Sequence, residues 1–414
     1  MQGITLGALA LACACSCGAQ TPGDGPQISG QVRLQWDQRQ ANAAGPLAVA
    51  NELAPGTAST SGKGATLETE LRSSGRGWNA SATLQQQMPQ GLPTQSRAWF
   101  NELVATHDGG SWQFSAGKKI VAWDVGYAFR PNDMVQQGER RTLTTTLTEG
   151  RPVLMAEHFD ADTAWSWVWV NPTAGSAAQG AREPALAARV YRRDGSLDWH
   201  GFARLGARTG ASVGAALAWV ASDALELHGS LRYLERADSL TIDPLAIGVV
   251  RSDPWQTASV QRTAQVSVGG TWTHESQLSV LAEVWWDGTA LSDGEWDRWR
   301  SRNALLAGLP SLGAPLGATA GNLAWQADAF SVSSSLRRSN LYLRLSWEID
   351  AWQPSLDLLY QPADGGRMVT AALLWKGDRM QLQGGWRVYG GPANAVLAQL
   401  PTRSQAYLAG TWTF

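Results

Sequence analysis

The chain has 414 residues, 44% of them hydrophobic and only 16% charged, and its 33 basic and 35 acidic side chains leave a net charge of −2. Such a balance offers no electrostatic footing for nucleic acid. Beyond the N-terminus no charge-free apolar run reaches the roughly eighteen residues that argue for a membrane-spanning helix. Yet 22 Trp stand against 7 Phe and 7 Tyr, and Trp favours surfaces that are apolar on one side and wet on the other. A closed barrel is the other architecture that satisfies every backbone group in lipid.

Residues 1–19 read as a secretory signal: Leu6 to Ala14 form an apolar core, small residues follow, and Ala19 marks a cleavage position. Two features are irregular. No Lys or Arg precedes the apolar core, and Cys13, Cys15 and Cys17 all lie within the segment. Either the cysteines leave with the signal or one of them carries a lipid, although the residues before each fit a lipidation pattern poorly. In both cases the remaining chain has no disulfide framework and no thiol chemistry. Residues 20–26 form a short linker with Pro and Gly from Thr21 to Pro26.

From Gln27 the pattern changes to a period of two. Ile28, Gly30, Val32, Leu34 and Trp36 alternate with Ser29, Gln31, Arg33, Gln35 and Asp37, which predicts a strand with one apolar and one polar face. A second strand, about Gly64 to Ser73, puts Ala65, Leu67 and Leu71 on one face and Glu68, Glu70 and Arg72 on the other. The later strands are cleaner. Leu197, Trp199, Gly201, Ala203 and Leu205 oppose Asp198, His200, Phe202 and Arg204, and Leu341, Leu343, Leu345 and Trp347 oppose Tyr342, Arg344 and Glu348. Trp165, Trp167 and Trp169 share one face of a single strand, more than a narrow interface belt needs. Arg97–His107 and Pro152–Phe159 are the weakest strands, with polar residues on both faces.

Short turns rich in Asp, Gly and Ser fall at Ser74–Gly77, Asp108–Gly110, Asp160–Thr163, Arg193–Gly195, Ser222–Ala224, His274–Ser276, Ile349–Trp352 and Lys376–Asp378. The connections between them are mostly longer, among them Gln38–Lys63, Ile120–Gly150, Arg236–Gln261 and Gly288–Arg337. Eight short turns and nine long connections join about eighteen strands, which places both strand termini on the short-turn side. A two-domain soluble all-β protein would share the alternation and the turns. It would not call for the signal segment, the Trp excess and the alternation of short with long connections together.

The third long connection, Ile120 to Gly150, holds Asp124, Arg130, Asp133, Glu139, Arg140 and Arg141, interleaved with Trp123, Tyr127 and Phe129. A loop this long and this aromatic rarely sits loose in water. Opposed charges across a narrowing would act as a filter. The seventh, Gly288 to about Arg337, contains Ser292-Asp293-Gly294-Glu295, the spacing of a capping box. A short amphipathic helix follows from it, lying over a mouth or packing on neighbouring loops. In this register Arg33, Arg72, Arg204, Arg232, Arg344 and Arg387 point inward, with Asp37, Glu68, Glu70, Asp198, Glu226, Glu283, Glu348 and Asp357. Six against eight is no strong bias. A slip of one residue would reverse every assignment on a strand.

No Gly-x-Ser-x-Gly elbow, His-Glu-x-x-His pair or phosphate-cradling Gly-Lys-Ser/Thr loop occurs, and the five histidines are scattered. No catalytic residues, cofactor or metal are expected. The last strand sets Ala406, Leu408, Gly410, Trp412 and Phe414 against Tyr407, Ala409, Thr411 and Thr413. An apolar strand that ends on Phe resembles the signal read by the barrel-insertion machinery of Gram-negative bacteria. The whole stretch 27–414 resembles outer-membrane porins of the substrate-specific or export type. The resemblance implies a single transmembrane, antiparallel, up-and-down β-barrel of about 18 strands whose third outer loop folds inward. It implies passive passage of small polar solutes or of an exported product, outer-membrane lipid and the insertion machinery as partners, and a homotrimer as one possible assembly. The balanced lumen argues against export of an acidic polymer. The alternative is a barrel that conducts nothing and works as a surface enzyme or a partner-binding or assembly protein.

Overall fold

A computed structural model describes residues 26–136, 148–176, 178–242, 253–331 and 335–414. Among these residues eighteen strands form one antiparallel sheet that closes on itself. The first nine are β1 (Gln27–Ala41), β2 (Gly62–Gly75), β3 (Trp78–Pro89), β4 (Gln95–Gly109), β5 (Trp112–Lys119), β6 (Arg151–Phe159), β7 (Thr163–Val170), β8 (Ala185–Asp194) and β9 (Leu197–Gly206). The other nine are β10 (Gly210–Ser222), β11 (Leu225–Ile242), β12 (Trp255–Thr273), β13 (Leu278–Asp287), β14 (Ser339–Trp347), β15 (Trp352–Gln361), β16 (Gly366–Lys376), β17 (Met380–Gly390) and β18 (Thr402–Thr413). Each strand pairs with its sequence neighbours, and β1 pairs with both β2 and β18, so no edge is left open. At that seam Gly30 and Phe414 exchange two backbone hydrogen bonds of 3.0 Å, and the Phe414 ring packs on Trp412.

The alternation explains the closure. Residues such as Ile28, Leu34, Leu71 and Leu408 project outward and are exposed, while Glu68, Glu70, Thr83 and Arg204 project inward and are buried. An apolar outside with a polar inside inverts the soluble pattern and is what a lipid-facing barrel wall requires. Fourteen of the 22 tryptophans lie exposed on that outer face, which places the Trp excess on the wall rather than in a core. Trp165 and Trp167 stack on each other, and Trp167 on Trp112.

Three long connections differ from the sequence expectation. Strands β11 and β12 pair on beyond Arg236 and Gln261 to Ile242 and Trp255, through much of the stretch read as a loop. The arms run past the apolar outer band of the barrel, and there they lose the alternation that marks the rest. The first connection carries a helix that the alternation did not foretell, α1 (Pro46–Leu53), with Pro at its start. The seventh holds two helices rather than one, α2 (Asp293–Gly308) and α3 (Leu316–Trp325). The capping box is present: the Ser292 hydroxyl accepts from Glu295 N–H, and the Glu295 carboxylate accepts from Ser292 N–H at 2.6 Å. These helices join into a layer on the long-loop side. Ala50 of α1 packs with Leu306, Ala320 and Leu323. Trp296 and Trp299 pack with Leu291, Ala329 and Val396.

Candidate functional site

The third connection turns into the barrel because the wall below it is apolar on its inner face. Val121, Trp123, Met134 and Val135 are buried against Val153 and Met155 of β6, Val168 and Val170 of β7, Ala185 and Ala187 of β8, Phe202 of β9 and Ala216 of β10. Trp123 stacks on Phe202 at 6.4 Å. The inner face of β6 is given to this packing, which is why its alternation is blurred. The loop's entry into the lumen follows from burial of apolar surface on both partners.

The descending and returning arms are tied by two aspartates. Asp124 accepts from Asn132 N–H at 2.5 Å, from Val125 N–H at 2.8 Å and from the Ser230 hydroxyl at 2.7 Å. Asp133 accepts from the N–H groups of Trp123 and Asp124 at 2.9 and 3.1 Å. Arg130 donates to the Asp124 carbonyl at 2.7 Å and forms an ion pair with Asp133. Burial pushes the Asp124 carboxyl above the usual aspartate range, against the Asn132 N–H and the Ser230 hydroxyl that favour its charge. Residues 124–133 therefore form a compact loop with joined ends. Its tip needs Gly126, where a Cβ would collide with the Phe129 carbonyl.

The tip presses on the opposite wall. Tyr127 stacks on Tyr342 at 6.1 Å, with the Arg344 guanidinium 5.9 Å from the Tyr127 ring. Phe129 stacks on Trp285 at 5.6 Å. The Glu283 carboxylate accepts from both Tyr127 and Ala128 N–H at 2.5 Å. Between the tip, the inner faces of β11 to β17 and the connections that carry Phe330, Leu336 and Leu397 lies a cavity of about 970 Å³. Its charged lining is Arg130, Arg204, Arg232, Arg236, Arg344 and Arg387 against Asp133, Glu183, Asp238 and Asp357, six cations to four anions.

The sequence-predicted residues are thus dispersed. Arg130 and Asp133 reach the cavity, whereas Asp124 is enclosed in the loop brace. Glu139, Arg140 and Arg141 lie outside the described residues. Arg204, Arg232, Arg344 and Arg387 line the cavity; Arg232 donates to the Pro131 carbonyl and the Ser212 hydroxyl, and Arg387 to the Thr370 hydroxyl. Arg344 pairs with Asp357 at 3.4 Å. Arg33, Glu68, Glu70 and Arg72 belong to a separate inner-wall network on β1 to β4, in which Glu70 accepts from Gln31 and Arg72 at 2.7 Å, and Glu68 from Gln85. Tyr342, Ser230, Asn132 and Glu183 were missed. The inward parity of Ser230 and Tyr342 was legible, whereas Asn132 and Glu183 lie in connections with no alternation to read; the partners of all four come from elements that only the closed barrel brings near.

Glu183, just before β8, is the clearest case. Its buried carboxylate accepts from Arg208 and Thr209 N–H at 2.5 and 2.6 Å, from the Thr209 hydroxyl at 2.8 Å and from Arg204 at 3.0 Å. Burial alone would raise its pKa. The Thr209 and Arg208 N–H groups, the Arg204 charge and the Thr209 hydroxyl outweigh burial and hold it below the usual glutamate range. A lowered pKa contributes stability that is full above the unfolded value and is lost as pH falls through the folded one. The barrel is therefore expected to lose stability as pH falls through and below the usual glutamate range, and Glu183→Gln to flatten part of that loss. Urea unfolding at a series of pH values measures it, and an unchanged acid slope in the variant would refute it.

No family model and no curated protein sequence matches this chain. Among solved structures, that of Pseudomonas aeruginosa OccK5 (OpdH) superposes with a TM-score of 0.53 over 94% of this chain and 98% of that one, at 10% identity. A mutant of Rh. blastica porin covers 94% of this chain and 100% of its own at 9% identity, with a TM-score of 0.45. The likeness to OccK5 is one of fold: this chain is a porin-like, closed eighteen-stranded β-barrel.

Proposed function

We propose that residues 27–414 form an outer-membrane channel for passive passage of small polar solutes, behind a secretory leader (1–19) and a linker (20–26). The observation that carries this reading is the cavity of about 970 Å³, lined by charged and amide side chains and narrowed by the third connection. Aromatic stacking seats the loop tip on Tyr342 and Trp285, and the neighbouring Arg344–Asp357 and Arg130–Asp133 pairs set up a local field that sorts solutes by charge. A lipid-facing outer surface implies bilayer residence, delivery by the insertion machinery, and room for a homotrimer that buries part of that face.

Six arginines against four carboxylates at the cavity give a small positive excess. A weak preference for anions over cations is expected at low salt, fading as the Debye length shrinks towards about 3 Å at 1 M. Planar-bilayer recording of the refolded protein across a KCl gradient tests both points. Steady steps with an anion-signed reversal potential support the reading. A barrel that is folded and silent at every voltage overturns it in favour of a non-conducting surface or partner-binding barrel.

A further inference from the structure

One group of buried titratable side chains plays no part in the lumen field described above. His228 on β11, Gly269 on β12 and Glu283 on β13 share one rung of the sheet, paired His228 to Gly269 and Gly269 to Glu283. All three face inward. Across that rung His228 Nε2 lies 2.8 Å from the Glu283 carboxylate, and His228 Nδ1 lies 3.1 Å from Glu226. The contact spans a whole intervening strand, and it does so because residue 269 has no side chain. A Cβ there would stand 2.5 Å from Glu283 Cγ and 2.8 Å from His228 Nε2. Glycine inside a strand weakens it and often marks such a close approach.

Glu283 is 1% exposed. A carboxylate at that depth is costly unless it is paired and hydrogen-bonded. The imidazole supplies the pairing, and faces carboxylates through both ring nitrogens, an arrangement in which both nitrogens donate only as the imidazolium. The remaining acceptor capacity of Glu283 goes to Tyr127 and Ala128 N–H, two successive backbone donors aimed at one anion.

We infer that Glu283, balanced by His228 across the Gly269 gap, is a latch in the barrel wall that holds the constriction tip in its narrow position. The inference rests on the channel reading for its consequence, since the tip sets the width of the passage. Glu283 and His228 are positioning residues: they act on solute flow through the Tyr127–Phe129 tip. Undoing the latch lets the tip leave Tyr342 and Trp285.

The test compares wild type, Glu283→Gln and His228→Gln in planar bilayers, with heat-modifiable electrophoresis to certify folding. Glu283→Gln is expected to raise single-channel conductance about two-fold, with flicker between levels, and His228→Gln to act in the same direction. The double variant should add little, because the two residues form one unit. In a barrel whose tip residues 126–130 are replaced by a Gly linker, Glu283→Gln should change nothing; a merely structural role in the wall would still show there. Chymotrypsin gives a second readout, since the released tip becomes cleavable at Tyr127 and Phe129 in the folded variants. Wild-type conductance together with an uncut tip in both folded single variants overturns the latch. A silent wild-type barrel overturns the channel reading instead, and the latch is then decided by the chymotrypsin result.

Discussion

Excising residues 124–133 and closing the gap with two glycines should raise single-channel conductance about three-fold and weaken ion selectivity, because the segment proposed to narrow the lumen is removed. The barrel should remain folded. The loop ends are already adjacent, as the bonds from Trp123 and Asp124 N–H to Asp133 and from Asn132 N–H to Asp124 show. The apolar contact that covers the β6–β10 wall belongs to Val121, Trp123, Met134 and Val135, which flank the excised segment. A compact loop with joined ends is also the kind of segment whose removal leaves its scaffold intact. Heat-modifiable migration reports the fold, and bilayer recording reports the passage. A folded variant with wild-type conductance would mean that the narrowing lies elsewhere, most directly at the helical layer that carries Trp296 and Trp299.

Arg204→Met should cost about 3–5 kcal/mol of stability, the usual penalty for stranding one partner of a buried ion pair. Both side chains are nearly inaccessible, and Arg204 is the cation bonded to Glu183. Adding Glu183→Gln to that variant removes the stranded charge yet keeps an oxygen for Arg208 and Thr209 N–H, so more than half of the loss should return. Replacing Glu183 by Met instead would leave those two N–H groups unpaired, at about 1–3 kcal/mol each, and should not rescue. Urea titration of the three proteins in phospholipid vesicles separates the cases. Equal midpoints for Arg204→Met and the Gln-bearing double variant would show that charge stranding is not the cause.

These two experiments probe different levels of the same design. The first asks what the inward loop does once the wall exists. The second asks what holds the outer end of the wall, where β8 and β9 meet the short connection at Arg208 and Thr209. The contrast also separates apolar from polar contributions to the lumen: the loop is seated by buried apolar side chains, and the rim is held by the Glu183–Arg204 ion pair with the donors around it.

Much of this protein was legible from local pattern. A period of two identifies strand, face and turn within a few residues, so Leu34 and Trp36 could be set outward and Glu68 and Glu70 inward from the chain alone, and the count of strands followed from the turns. The Ser292–Glu295 capping box was equally local. The inward fold of the third connection was expected from its aromatic content, but its apolar seat required β6 to β10 to lie side by side. What the tertiary structure alone decided are relations between distant strands. His228, Gly269 and Glu283 are 41 and 14 residues apart in sequence, and they meet because closure and register put them on one rung. Asp124 and Asp133 carry the charges expected at a filter, yet one is enclosed by the brace and the other divides itself between brace and cavity. Backbone donors compete for a buried carboxylate, and no pattern in the chain reveals which donors will be near. Alternation is written into neighbouring residues, whereas the partner of a buried charge is set by which rung it reaches when the sheet closes.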